Sequence, residues 1–180
     1  MGTGFNRDGF VNDVTFNARS GRQADFQATH TTDDTAVDHN VIGNHDINLD
    51  ATKREHINET FEATYGPSYY SFDYGKVHFV VLDTIGWTNA TKRRPKMHYT
   101  AVLGQQQLKF IKNDLSLVPE SQMVVLLMHV PIIGLADKAD LFRLIEKRPY
   151  CISISGHTHD HRHFFLGKLD GFHGAKPHHH

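Results

Sequence analysis

Three short apolar runs along the chain each end in a cluster of polar side chains. The apolar runs are 40–42, 124–128 and 152–154, and the polar positions that follow them are 43–46, 129 and 156–160. A strand buried in a parallel sheet is encoded as a short, nearly continuous apolar run, and ligands of open α/β sheets bind just beyond the carboxyl ends of such strands. The repeated change from apolar to polar therefore predicts three strand ends that contribute to one site.

Between these runs, helical and extended patterns follow one another. The predicted helices cover 50–65, 104–115 and a segment that begins near 137, and the other predicted strands cover 122–128, 150–155 and 162–166. Asp50 is the predicted N-cap of the first helix, and Gly66 follows its last residue. Two β-rich runs, 69–74 and 76–84, meet at Gly75 and predict an antiparallel hairpin with a buried second strand. Strands that alternate with helices indicate an α/β protein with helices on the outside.

The first 39 residues have a different character from the rest of the chain. They are rich in Thr, Asp, Asn and Gly, and only the alternation at 14–16 predicts a short strand or hairpin. We interpret the remainder of this stretch as loop or disorder, because it has too few apolar residues to bury. The chain is accordingly divided into a polar N-terminal segment, 1–39, and a domain, 40–180.

The polar clusters at the strand ends contain side chains that divalent metal ions bind. Asn, His and Asp offer the oxygen and nitrogen donors that zinc, manganese or iron accepts. In an extended chain, positions i and i+2 share a face, so His157 and His159 are expected to point to one side and to address two neighbouring ions. Gly156 is expected to allow the tight backbone turn that precedes them.

These motifs resemble those of one enzyme family. Gly-Asn-His-Asp at 43–46, the isolated His129 and Gly-His-Thr-His at 156–159 are similar to the motifs of the calcineurin-like metallophosphoesterases, and the resemblance extends over about 40–165. It implies an α-β-β-α sandwich of mixed sheets. It also implies hydrolysis of a phosphoester substrate, as a phosphatase or a phosphodiesterase, by a metal-activated water. The implied cofactors are one or two divalent ions, Mn, Zn or Fe.

The resemblance also assigns roles to individual residues. The implied metal ligands are Asn44, His129 and His157 for one ion and His159 for a second. The implied catalytic residues are His45, which approaches the substrate as a proton donor or charge stabiliser, and Asp46, which orients His45. Asp83, at the end of a predicted strand, has no counterpart among these ligands, and we interpret it as a helix or loop cap.

The chain departs from the family at its beginning. The family starts with Asp-x-His and Gly-Asp-x-x-Asp motifs, and neither occurs here. In the family, these motifs provide the carboxylate that bridges the two metal ions. Two such ions repel each other strongly at about 3.5 to 4 Å, and the bridging carboxylate offsets this repulsion. The visible ligands therefore support a mononuclear centre, unless Asp33, Asp34 or Asp38 substitutes. Two functions stay open: a phosphoester hydrolase, and a non-catalytic remnant of one that binds one metal or a phosphate ligand.

The resemblance also implies that the fold is incomplete at both ends, and that the absence of its first strands leaves a sheet edge at which two copies could associate.

A formal net charge of −1 gives no electrostatic footprint for a nucleic acid polymer or an acidic membrane. No apolar stretch approaches membrane-spanning length and no secretory signal is visible, which predicts a cytoplasmic protein, or a secreted or periplasmic one if a signal peptide was removed. The terminal histidines, 178–180, are interpreted as a tag or a truncation.

Overall fold

The computed structural model describes residues 15–18, 26–32, 35–88 and 98–180, which form eleven strands and three α-helices. The strands are β1 Thr15–Ala18, β2 Phe26–Thr32, β3 Thr35–Val41, β4 Tyr70–Tyr74, β5 Val77–Leu82, β6 Ile85–Thr88, β7 His98–Ala101, β8 Met123–Met128, β9 Cys151–Ser155, β10 Phe165–Leu166 and β11 His178–His179. The helices are α1 Glu59–Tyr65, α2 Gln105–Ser116 and α3 Lys138–Ile145. The predicted α/β class is confirmed.

A mixed six-stranded sheet forms the centre, in the order β10-β11-β9-β8-β5-β4. Strands β5, β8 and β9 are parallel neighbours, and β4 pairs antiparallel with β5 across Gly75. The predicted hairpin and its buried second strand are therefore confirmed. The parallel pairing brings the carboxyl ends of β5, β8 and β9 to one edge of the sheet.

Side chains of the central strands alternate between the two faces of this sheet. In β5, Val80 and Leu82 pack on the side of the helices, whereas Phe79 and Val81 pack on the opposite side. Strand β8 alternates in the same way, as the two-residue period of a strand requires. Because both faces are covered, these strands appear in the sequence as continuous apolar runs.

All three helices contribute side chains to the cluster on one face, through Phe61, Ile111 and Phe142 among others. The opposite face is partly covered by β3, whose Val41 packs against Val81 and β8. No helix of the described ranges contributes to that second cluster, so the second outer helical layer of the predicted α-β-β-α sandwich is not among the described elements. None of these helices is both long enough and apolar enough to cross a bilayer.

The first helix begins later than predicted, at Glu59, with Asn58 and not Asp50 at its N-cap position. The reason lies in Asn48, whose backbone N–H donates to Ile57 O and whose side-chain amide donates to His56 O, at 2.7 and 2.9 Å. These hydrogen bonds hold the intervening residues in a closed loop, and Asn side chains characteristically compete with helix formation in this way. The helices predicted at 104–115 and near 137 are confirmed.

The prediction of loop or disorder for most of 1–39 was wrong for two segments. Strands β1, β2 and β3 form an antiparallel three-stranded sheet, and β1 overlaps the strand predicted at 14–16. The segment of β2 is rich in Thr, which has a high strand propensity but does not produce an apolar alternation, and β3 contains the consecutive polar residues 38–40. Strand β3 crosses the boundary drawn at position 39; the division into two segments itself stays a prediction.

The end of the chain also differs from the prediction. His178–His179 forms β11, which pairs parallel to β9 and antiparallel to β10, and His178 is buried. His178 and His179 are thus part of the central sheet. The strand predicted at 162–166 is confined to Phe165–Leu166.

Candidate metal centre

The site lies at the edge where the parallel strands end. Leu82, Met128 and Ser155 are partners in the register of β5, β8 and β9. His129 directly follows β8, and the carbonyl oxygen of His129 accepts a hydrogen bond from Gly156 N at 3.1 Å. Pairing therefore continues one step beyond the strands and holds His129 next to the loop 156–160.

A fourth segment reaches the same edge from the other side of the sheet. Val41, the last residue of β3, packs on the face opposite the helices, whereas Ile42 packs on the helical face. The chain must therefore pass the edge of the sheet at this point, which positions the turn 43–46 beside His129. Two hydrogen bonds close this turn: Asp46 N donates to Gly43 O at 3.1 Å, and Gly43 N donates to the Asp46 carboxylate at 2.8 Å.

Three of the predicted metal ligands converge here. Asn44 Oδ1 lies 2.7 Å from His129 Nε2 and 3.3 Å from His157 Nδ1, and the two ring nitrogens are 3.0 Å apart. These residues are separated by 85 and 113 positions from Asn44, so only the fold brings them together. Each presents a polar atom toward the other two.

The donor set fits a divalent metal ion. The usual zinc–nitrogen distance is about 2.1 Å. The three separations leave a point at this distance from all three atoms, about 1 Å above their plane, where an ion would fit. A proton on either ring nitrogen can serve only one neighbouring acceptor at a time, whereas a cation accepts lone pairs from all three atoms at once. Two imidazoles and an amide oxygen are also a donor set that Zn, Mn or Fe accepts.

The protonation state of His129 favours the same use. The side chain is buried, with 3% of its surface exposed, and burial lowers its pKa to about 4. The neighbouring His157 and, to a smaller extent, His45 and His159 lower the pKa of His129 further. Near neutral pH, His129 is therefore neutral, which is the form that binds metal.

The remaining predicted site residues surround this set. His45 and His159 are exposed and do not belong to the convergent trio. The carboxylate of Asp46 closes the turn through Gly43 N, so it fixes the backbone that carries Asn44 and His45. The orientation of His45 by Asp46, and a second ion at His159, stay predictions.

The backbone of the loop 156–160 differs from the expected extended chain. The residues with positive φ are His157, at 68°, and His159, at 56°, and Gly156 is not among them. Thr158 N donates to Gly156 O at 2.8 Å, which makes His157 the central residue of a three-residue turn. For a non-glycine residue this conformation costs about 1 to 2 kcal/mol, and strain of this kind clusters at functional sites.

No carboxylate of the described ranges belongs to the convergent set. Within the ranges that the structure describes, no three His, Cys, Asp or Glu side chains form a metal-binding group, so the trio depends on the Asn44 amide. Asp38 is exposed on β3, and Asp33 and Asp34 lie outside the described residues. Among the described residues, no carboxylate therefore takes the bridging position that the motif resemblance implies.

Asp83, at the end of β5, is a loop cap, as predicted. Its carboxylate accepts hydrogen bonds from Ile85 N at 2.9 Å and from the Asn58 side chain at 2.8 Å. Burial raises its pKa to about 6, and these hydrogen bonds oppose the increase. The residue supports the strand end next to His129 and has no place among the ligands.

Two supporting residues were missed in the sequence. The side chain of Gln107 accepts from Asp83 N at 2.8 Å and donates to Asp83 O at 2.7 Å, and Thr84 Oγ1 accepts from Val130 N at 2.9 Å. They tie the ends of β5 and β8 to α2 and to each other. Gln107 precedes Ile111 by four positions, so a polar residue within the apolar stripe of a helix was the available signal.

One aromatic side chain borders the trio. The ring of Tyr99 meets the ring of His157 edge-on, with centroids 6.0 Å apart. This contact restricts the rotation of the His157 ring and keeps its Nδ1 directed at Asn44 and His129.

No family model matches the chain, and no curated protein matches it either.

Proposed function

We propose that the chain is a metal-dependent phosphoester hydrolase whose metal ion is held by Asn44, His129 and His157. The observation that carries the proposal is the convergence of their three polar atoms within 2.7 to 3.3 Å at the carboxyl ends of parallel strands. Sites for chemistry in open α/β sheets lie at this edge. The motif resemblance adds the reaction class, and with it a metallophosphoesterase-like sandwich as the finer description of the fold.

The roles of the residues follow from their positions. A bound divalent ion supplies positive charge that polarises phosphoryl oxygens and acidifies water. Asn44, His129 and His157 hold this ion with neutral donors, which leaves its positive charge uncompensated for an anionic substrate. His45 stands at the exposed side of the turn, where its side chain can act as proton donor to the departing alkoxide or stabilise the developing charge. Asp46 keeps the turn closed through Gly43 N.

The test is hydrolysis of 4-nitrophenyl phosphate and of bis(4-nitrophenyl) phosphate with added Mn²⁺ or Zn²⁺. We expect metal-dependent turnover that His129→Ala abolishes. His45→Ala should retain the metal and lose about a hundredfold or more in kcat, as expected for removal of a general acid. His173→Ala, an exposed histidine away from the trio, is the matched control. Equal turnover in His129→Ala and the control would overturn the proposal.

The non-catalytic alternative is favoured by one observation. Within the described ranges no carboxylate joins the two imidazoles, so repulsion between two ions is not offset there. This alternative predicts metal that binds in a His129-dependent manner, together with no turnover of either nitrophenyl ester. The two functions therefore differ in activity and agree in metal content.

A further inference from the structure

A second cluster of polar side chains connects β9 to the terminal segment and shares no residue with the metal-binding trio. Ser153 Oγ is 2.8 Å from His178 Nε2 and 2.6 Å from His180 Nδ1, and Ser155 Oγ is 2.9 Å from His180 Nε2. The two serines share a face of β9, and the two histidines share a face of the paired terminal segment. The four side chains thus form one continuous hydrogen-bonded chain.

The position of His180 is fixed by the backbone as well as by its side chain. Its N–H donates to Phe164 O at 2.9 Å, and its carbonyl accepts from Phe164 N at 2.7 Å. Its two ring nitrogens are each engaged by a different serine. The ring is therefore held at both of its nitrogen atoms, in the manner of a histidine that is oriented by one partner to act on another.

The direction of the hydrogen bonds decides what Ser155 can do. In the direction that starts at Ser155, its O–H donates to His180 Nε2, His180 Nδ1–H donates to Ser153 Oγ, and Ser153 O–H donates to His178 Nε2. Every link is satisfied, and Ser155 Oγ is left next to an unprotonated ring nitrogen. The reverse direction also satisfies each link, with Ser155 Oγ as the final acceptor.

Both histidines are neutral near pH 7. Burial lowers the pKa of His180 to about 4, with a smaller contribution from His163. Burial, followed by repulsion from His180 and His179, lowers the pKa of His178 to about 4 as well. A neutral His180 has a lone pair available at Nε2 to accept the proton of Ser155.

Ser155 is also accessible to a small ligand. It lines an open cleft of about 330 Å³, together with Ser153, Thr158, Arg162, Phe164 and His180. This volume is at the lower end of the range for small-molecule sites. The cleft combines an apolar wall, hydroxyl donors and a guanidinium that is paired with Asp160 at 3.1 Å. Thr158 faces the cleft, whereas its neighbour His157 faces Asn44 and His129.

We propose that Ser155 is a nucleophilic serine, activated by His180, that accepts the acyl group of a small carboxylic ester bound in this cleft. Ser155 Oγ forms a bond to the carbonyl carbon while its proton passes to His180 Nε2. The bond from that carbon to the alkoxide oxygen then breaks, and the alkoxide leaves with the proton from His180. The products are an ester on Ser155 and a free alcohol, and no metal ion takes part.

The experiment is labelling of the full chain by a fluorophosphonate in the presence of EDTA, followed by mass spectrometry of the modified peptide. The reagent forms a bond from Oγ to phosphorus and releases fluoride. We expect the label on Ser155 in the unmodified sequence, no label in Ser155→Ala, and labelling at least tenfold slower in His180→Ala. The exposed Ser121→Ala is the control, with labelling at the original rate.

Several results would overturn the proposal: no label on the folded chain, a label confined to another residue, or His180→Ala reacting as fast as the unmodified sequence. The first two need no variant, so the proposal stays falsifiable if a substitution prevents folding, which circular dichroism would detect. Because EDTA removes metal ions, the outcome is independent of the proposed phosphoester hydrolysis, and either can fail without the other.

Discussion

Replacement of Gln107 by leucine should destabilise the whole domain. The side chain is 3% exposed and hydrogen-bonds the N–H and the C=O of Asp83, at 2.8 and 2.7 Å. Leucine fills a similar volume but leaves both backbone groups without these partners. Each unsatisfied buried group costs about 1 to 3 kcal/mol, and added apolar burial offsets roughly 1 kcal/mol of the total. These terms give a range of about 1 to 5 kcal/mol, and we expect a loss near its centre, about 2 to 4 kcal/mol in the free energy of unfolding.

The assay is urea denaturation followed by circular dichroism, with thermal unfolding as a second measure. A loss of this size should lower Tm by roughly 5 to 15 °C in a domain of about this length. Gln106→Leu is the matched control, since it makes the same change at the adjacent exposed position. Equal stabilities of the two variants would refute the reasoning that Gln107 supports the end of β5.

Three further predictions concern stability and reactivity. His78 lies 2.9 Å from both Asp73 and Asp114, whose side chains are 66% and 15% exposed. In urea denaturation, Asp114→Ala should lower the free energy of unfolding by about 1 to 3 kcal/mol and Asp73→Ala by less than about 1 kcal/mol. Equal losses in the two variants would contradict this. The raised pKa of Asp83, about 6, means that the folded state holds this proton more tightly than the unfolded state, so its contribution to stability falls as pH rises from about 4 to 6. Asp83→Asn should remove that decline, since an amide does not titrate. The buried Asn58 Oδ1, which has no hydrogen-bond partner among the described residues, can accept from the new amide after a flip of the Asn58 side chain. An unchanged pH profile of unfolding would contradict this. Burial raises the pKa of the Cys151 thiol to about 12, so a thiol reagent should modify the folded chain only as fast as it opens, and rapid modification at neutral pH would contradict the burial.

The sequence predicts the central strands and the proximity of His129 and His157 because both depend on local patterns. Each of β5, β8 and β9 is a short apolar run, and parallel pairing necessarily collects the residues after them at one edge. His129 and the loop 156–160 could therefore be identified as neighbours before any distance was known. The convergence of Asn44 required more, since the crossing of the sheet edge between Val41 and Ile42 is not encoded in a pattern.

Other features depend on long-range contacts that no local pattern contains. The pairing of β2 with β3 is formed by backbone hydrogen bonds, and the sequences of these two strands give no sustained apolar alternation to indicate it. The positive φ of His157 is set by a hydrogen bond between its two neighbours and by the fixed position of His129. His178 is buried only because β9 offers an unpaired edge and Ser153 a hydrogen-bond partner.

The most direct test of the central claim is metal content by elemental analysis after dialysis. The chain is compared with a His129→Ala, His157→Ala double variant and with a His161→Ala, His173→Ala control, whose histidines are exposed. The account predicts about one equivalent of Zn or Mn in the chain and in the control, and close to none in the double variant. An unchanged metal content in the double variant would contradict a metal centre at Asn44, His129 and His157.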